Sequence, residues 1–233
     1  MKRTIDKTAN ADFVANAKIL KVTLNENNNR IHNIEIGIID LYKGSEIKSL
    51  EIYSKLGSSC SFFTPENTTW LIFARKGKSG KLGFGLCSGS RQIDREFDLE
   101  KDLNSKTNYD KSIELELELL DYLKKIKINP VNEYNLFTGF SNVSIKEFDG
   151  IELKNDKFSI HELTVNIDLS IDKIKVLKEF NNPSLQSDLL NCIKESLKIH
   201  KFDKKSELID KTKLIVVLYY YPEGKTHKSF IRQ

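Results

Sequence analysis

The run Ile34–Gly44 (IEIGIIDLYKG) limits what this chain can build more than any other stretch. Ile34, Ile36 and Ile38 alternate with Glu35 and Gly37, the two-residue period of a strand with one face buried. The run stops at Lys43 and Gly44, where glycine can take the positive φ that a strand exit often needs. Asp12–Val22 (DFVANAKILKV) reads as a strand before it; Leu50–Tyr53, Thr68–Arg75 and Leu82–Leu86 read as strands after it. Asn25–Arg30 (NENNNR) is a polar turn whose asparagines tolerate left-handed backbone. Five short strands over residues 11–93 with turn chemistry between them predict a small closed antiparallel barrel. Trp70 alternates with Ile72 and is assigned to the core. Cys60 and Cys87 fall just outside two of the strands.

The rest of the chain predicts further elements. Asp110 is placed to cap a helix from Lys111 to about Lys127, with Ile113, Leu117 and Leu120 on one stripe and Leu115, Leu119, Tyr122 and Ile126 on the next. The alternation Ile113–Leu119 (IELELEL) also fits a strand; Lys124 and Lys125 favour the helix, being suited to a helix C-terminus. Glu114, Glu116 and Glu118 read as its solvated face, and Pro130 stops it. Residues 129–157 read as a polar linker with one short strand near 142–146, and a second domain is expected over 158–233. There Leu163–Leu169 and Asp172–Lys178 alternate as a hairpin about Ser170 and Ile171. Ser184 is positioned to cap a helix carrying Leu185, Leu189, Ile193 and Leu197, with Cys192 alongside, and Leu214–Tyr221 is strongly β-prone.

Composition and motifs exclude several functions. At 233 residues, 39% hydrophobic and 30% charged, the chain suits one large or two small globular domains rather than disorder. No window approaches the roughly 18 apolar residues of a membrane span, and no secretory signal stands at the start, so the segment is either cytoplasmic or mature with its leader removed. The net charge of +4 comes with Lys and Glu interspersed, not with a basic stripe, which argues against a nucleic-acid partner. His32, His161, His200 and His227 are scattered, without a metal-binding spacing, and read as exposed or satisfied surface residues. Lys76–Gly80 (KGKSG) lacks the spacing of a phosphate-binding loop and reads as a hairpin turn. No cofactor motif is present. Three scattered cysteines read, on residues alone, as buried or free thiols, and a Cys87–His nucleophile pair stays open as a thiol-enzyme alternative.

Asn10–Lys18 (NADFVANAK), Ile39–Gly44 (IDLYKG), Ser58–Phe63 (SSCSFF), Trp70–Ala74 (WLIFA) and Gly85–Arg91 (GLCSGSR), in that order and spacing, resemble the tissue-inhibitor-of-metalloproteinases (TIMP-like, netrin-module) family in its bacterial form, over about residues 8–127. The resemblance implies an OB-like barrel followed by a helix and a binding role without catalysis. Family members begin with a Cys-x-Cys whose thiols each pair with a downstream cysteine, at the places where Cys60 and Cys87 stand here. Aligned on Asn10–Asp12, that pair falls a few residues before Met1, so the expectation is a natural chain extending upstream into a cysteine pair and an export signal or lipid anchor. Animal relatives chelate the target's zinc with their first cysteine; a Met1-Lys2 start offers no such group, so zinc-chelating inhibition is not expected.

Val165–Leu169, Lys173–Leu177, Leu189–Leu197 and Leu214–Tyr221 resemble the carboxy-terminal domain of TonB-type proteins, although the hairpin glycine and the Lys-Pro step after the helix are missing. That resemblance implies protein binding by strand addition outside the cytoplasm. The expected protein is an α+β chain: a barrel with its helix over 1–128, then a small α+β domain. The expected function is a non-enzymatic extracytoplasmic binding module for a protein partner, such as a peptidase or envelope protein. Contacts are expected through loops carrying Ser59, Phe62, Phe63, Lys76, Lys78 and Lys81, or through an open strand edge in the second domain. The alternative from another class is an OB-type nucleic-acid or ligand binder.

Overall fold

The structure is a computed structural model that describes residues 3–26, 28, 30–54, 61–140, 144–154, 156–202 and 207–233. The chain is mixed α+β and divides into two units, Met1–Asn129 and Pro130–Gln233.

In the first unit a short helix, α1 (Thr4–Asn10), precedes strands β1 (Phe13–Leu24), β2 (Ile31–Lys43), β3 (Ser49–Tyr53), β4 (Thr69–Lys76) and β5 (Leu82–Gly85). Their order β1-β2-β3-β5-β4 is closed by pairing of β1 with β4, giving a five-stranded OB-like barrel. The barrel is not wholly antiparallel, as the sequence predicts, but mixed: β3 runs parallel to β5, with Ile52 opposite Phe84 and Tyr53 opposite Gly85. The reason is topological. The chain crosses from β3 past β5's place to build β4, so β5, turning back antiparallel to β4, meets β3 in the same direction. A two-residue strand, β6 (Arg91–Gln92), extends the sheet along β4.

Burial explains the apolar runs of β1 and β4. Phe13, Ala15, Ala17 and Ile19 point into the barrel among Ile34, Ile36, Ile52, Trp70, Ile72 and Phe84. The alternate residues Val14, Leu71 and Phe73 point outward and pack with Leu120 of the long helix α2 (Leu99–Lys125). Each such buried Val, Ile, Leu or Phe contributes about 1.5–3 kcal/mol. Gly44 does adopt positive φ, +93°, and a Cβ there would stand 2.8 Å from the Asp12 carbonyl oxygen.

Helix α2 starts twelve residues before the predicted Lys111, and Asp110, expected as its cap, lies mid-helix paired with Lys106 one turn earlier. The early turns have no apolar period to announce them. They are pinned instead through Tyr109, whose hydroxyl donates to the Gln92 carbonyl (2.5 Å) and whose ring lies under Arg91 at 4.3 Å.

In the second unit the antiparallel sheet runs β9-β8-β11-β12, made of β8 (Phe158–Val165), β9 (Ile171–Lys178), β11 (Thr212–Tyr221) and β12 (Phe230–Arg232). Helix α3 (Pro183–Ser196) adds Leu185, Leu189 and Ile193 to a core with Leu163, Val165, Leu214, Val216 and Leu218. Asn182, not the predicted Ser184, caps α3: its side chain accepts from the Leu185 amide at 3.1 Å, and Pro183 occupies the first turn. The stretch read as a linker carries β7 (Leu136–Phe140), paired with β10 (Leu197–Lys201), and a 3-10 turn at Ser144–Phe148. Leu136, Ile145 and Phe148 belong to the same core. The β8–β9 connection is longer than the two residues expected, because Asn166–Ser170 forms a closed turn with Leu169 at φ +69°.

Candidate functional site

α1 is too short to be stable alone and is held by contacts along its C-terminal half. Lys43 of β2 donates to the Thr8 and Ala9 carbonyls (2.9 and 3.2 Å), placing a cation at the helix C-terminus. On the same helix Lys7, 5% exposed, reaches Glu116 of α2 with Nζ to Oε2 at 2.5 Å. The other Glu116 oxygen accepts from Arg91 at 2.8 Å. Two cations thus share one carboxylate, and all three groups are largely withdrawn from water. Burial lowers the Lys7 pKa and outweighs the Glu116 charge, which raises it; Arg91 lowers it further. The Lys7 ammonium also lies 4.7 Å from the centre of the Phe73 ring.

Lys7 is part of the wall of a pocket of about 390 Å³ between α1, the β3–β5 side of the barrel and the 3-10 turn Leu86–Ser88. Phe73, Phe84, Leu86 and Ala11 supply apolar surface; Arg75, Cys87 and Ser88 supply polar groups. The Leu86–Ser88 turn reaches α1 because Gly89, at φ +84°, has no side chain where the Lys7 stem passes: a Cβ there would lie 2.4 Å from Lys7 Cδ. On the other side the Tyr53 ring lies over Gly83, whose absent Cβ would fall 2.6 Å from it, and the Tyr53 hydroxyl lies 2.4 Å from where a Cβ of Gly77 would stand. Glu51 next to it is 8% exposed and paired with Lys81 at 3.1 Å.

The residues singled out by sequence are placed as follows. Cys87 is exposed and carries a free thiol at this pocket, on the same wall as the amino-terminal helix. Cys60 and Ser59 lie outside the described residues. Phe62 is packed edge-on against Trp70 and Phe84 (5.4 and 5.9 Å between centroids), and its amide donates to Ser54 Oγ at 2.8 Å. Phe63 beside it is 59% exposed. Lys76 at the end of β4 and Lys78 on the β4–β5 connection are exposed, whereas Lys81 is engaged by Glu51.

Two expectations fail. Glu116 is not on a solvated face; it follows Ile113 by three residues and precedes Leu120 by four, so it sits on the buried stripe of α2. A helical wheel that scored every third and fourth residue, rather than the Glu/Leu alternation, carries that signal. Nor are the histidines all at the surface: His32 and His161 are 4% and 0% exposed. Both occupy the inward phase of an alternating strand, His32 in step with Ile34 and Ile36, and His161 in step with Leu163 and Val165. Among the described residues neither ring nitrogen of His32 has a partner, and His161 has only Ser159 Oγ at Nε2, 3.1 Å away. Burial pushes the His161 pKa down to about 4.

A second, shallower groove of about 330 Å³ lies in the other unit between β9 and α3, lined by Ile171, Lys173, Ile174, Leu190, Asn191 and Lys194 among others. Strand β9 is an edge of its sheet. Among the described residues no helix is long and apolar enough to cross a membrane, and no group of three or more His, Cys, Asp or Glu side chains is placed to hold a metal ion. Compared with known proteins, the chain matches no protein-family model and no curated protein.

Proposed function

We propose that the protein is a non-enzymatic binding module for a protein partner, working outside the cytoplasm, with the likeness to TIMP-like domains extending to role as well as to the barrel. The observation that carries this reading is the pair Phe62 and Phe63. Phe62 is locked between Trp70 and Phe84 and tied by its amide to Ser54, so the exposed Phe63 is presented by a loop that is fixed on its inner side. An aromatic held in place before contact loses little entropy on binding, which is the profile of an interface anchor. Edge strand β9, with Lys173, Lys175 and Lys178 along it, offers a second contact by strand addition, as the TonB-type likeness suggests.

The test is a photo-crosslinker placed at position 63 and, as control, at position 111 on α2, in cells of the source organism. The expected result is one partner protein crosslinked from position 63 only, and its recovery on wild-type protein falling about tenfold or more with Phe63→Ala, the loss of a 1.4 kcal/mol anchor. Equal recovery on Phe63→Ala and wild type would refute the role given to this loop.

A further inference from the structure

The pocket between α1 and the barrel has a charge balance that the protein alone leaves open. Lys7 and Arg91 share the single carboxylate of Glu116, and each Glu116 oxygen is already occupied. Arg75 stands exposed at the same pocket, without a partner among the described residues. The other nearby carboxylate, Glu51, is taken by Lys81. Of the charged side chains, the pocket wall itself holds Lys7 and Arg75 and, among the described residues, no carboxylate; the Lys7 side chain is only 3% exposed. A single carboxylate between the two buried cations Lys7 and Arg91, with Arg75 exposed beside them, leaves an excess of positive charge, and this arrangement favours an anion from outside.

The walls specify the remainder of such a ligand. Phe73, Phe84, Leu86 and Ala11 are apolar, and the volume of about 390 Å³ falls in the range of small-molecule sites. Inorganic phosphate or sulfate would leave those walls empty. A peptide strand would find no free strand edge there, since β3, β5 and β4 are already paired with one another along this side. We infer that this pocket binds a small monocarboxylic acid with an aliphatic or aryl body, its carboxylate directed to Lys7 and Arg75 and its apolar part laid against Phe73, Phe84 and Leu86. Burial first, and the Arg91 charge after it, lowers the Lys7 pKa, and a carboxylate bound beside the ammonium would oppose both. The inference stands apart from the protein-binding role of Phe63, which lies on a different loop and can fail without it.

Cys87 at the pocket provides the readout. The full chain is treated with iodoacetamide in the presence of sodium octanoate, 1-octanol or octylamine, and modification of Cys87 is followed by peptide mass spectrometry. Octanoate is expected to saturate a single site and, at ten times its Kd, to slow Cys87 modification about tenfold. Octanol and octylamine are expected to give no comparable protection. Arg75→Ala should weaken octanoate about tenfold, the usual worth of one charge-assisted contact. Leu86→Asp, at another exposed wall residue, should abolish binding by adding a like charge. Lys7→Met removes the buried cation but also breaks the contact with Glu116, so the two exposed variants decide if it does not fold. Equal protection by octanol and octanoate, no protection by octanoate at millimolar concentration, or unchanged octanoate binding in both Arg75→Ala and Leu86→Asp would each overturn the inference.

Discussion

Gly77 carries no side chain because the Tyr53 hydroxyl occupies the place where one would go, 2.4 Å from a built Cβ. The next nearest atom is Tyr53 Cζ at 3.5 Å, an ordinary contact. Gly77→Ala is therefore expected to cost about 1–3 kcal/mol by urea unfolding, and Tyr53→Phe, which deletes the hydroxyl alone, to recover most of it in the double mutant. At Glu116 the expected cost is larger. Glu116→Ala strands Lys7 and Arg91 together and should lose roughly 3–5 kcal/mol, whereas Glu116→Gln keeps the volume and isolates the effect of charge. His161 sets a pH dependence. Its pKa is about 4 folded against 6.5 for the free side chain, so the unfolded chain binds the proton first. Stability from this residue is complete above pH 6.5 and is lost as pH falls to about 4, by about 3 kcal/mol in all. Hydrogen exchange of the amides flanking residue 161 should report that loss in the wild type and not in His161→Leu. None of these three residues was readable as what it is. The residue types of Glu116 and His161 argue for the surface and only their positions, in helical step with Ile113 and Leu120 and in strand step with Leu163, argue for burial, while Gly77 gains its meaning from a tyrosine on another strand.

Elements were legible in proportion to their periodicity. All five barrel strands announced themselves, because an inward face of Ile, Ala and Phe alternates with something else or, in β1 and β4, is apolar on both sides beneath α2. The direction of β5 relative to β3 was not legible, since alternation states that a strand exists and is silent about its neighbour. The start of α2 was missed because its first turns are polar, β7 because Thr138 and Gly139 break its short apolar run, and β10 because Leu197 continues the helical spacing of Leu189 and Ile193. The cap of α3 was misplaced by two residues: Pro183 fixes the first turn, which leaves Asn182 as the cap. Asn182→Ala is expected to destabilise the second unit by about 1 kcal/mol and Ser184→Ala by a few tenths at most, measured by urea unfolding of both variants. Equal effects would return the cap to Ser184.

At the scale of the whole molecule, two cores are drawn from two lengths of chain. The second core takes Leu136, Ile145 and Phe148 from the stretch that reads as linker, whose polar surroundings hide three isolated apolar residues. Residues 130–233 expressed alone are therefore expected to show a cooperative thermal transition, and residues 158–233 alone to lose it, with circular dichroism as the measure. A cooperative transition in the shorter fragment would restore the linker. The candidate pocket was legible only in part: Cys87 was singled out, but Lys7 and Arg75 join it through the closure of the barrel, which no local pattern encodes. That closure has a consequence for synthesis on the ribosome. The first three strands can pair as they emerge, but β1 meets its second neighbour only when β4 is out, and β3 meets its own only when β5 follows. Until residue 85 has left the exit tunnel, the nascent ribbon carries two unmatched edges, and translation speed across that interval sets how long they are open to the wrong partner.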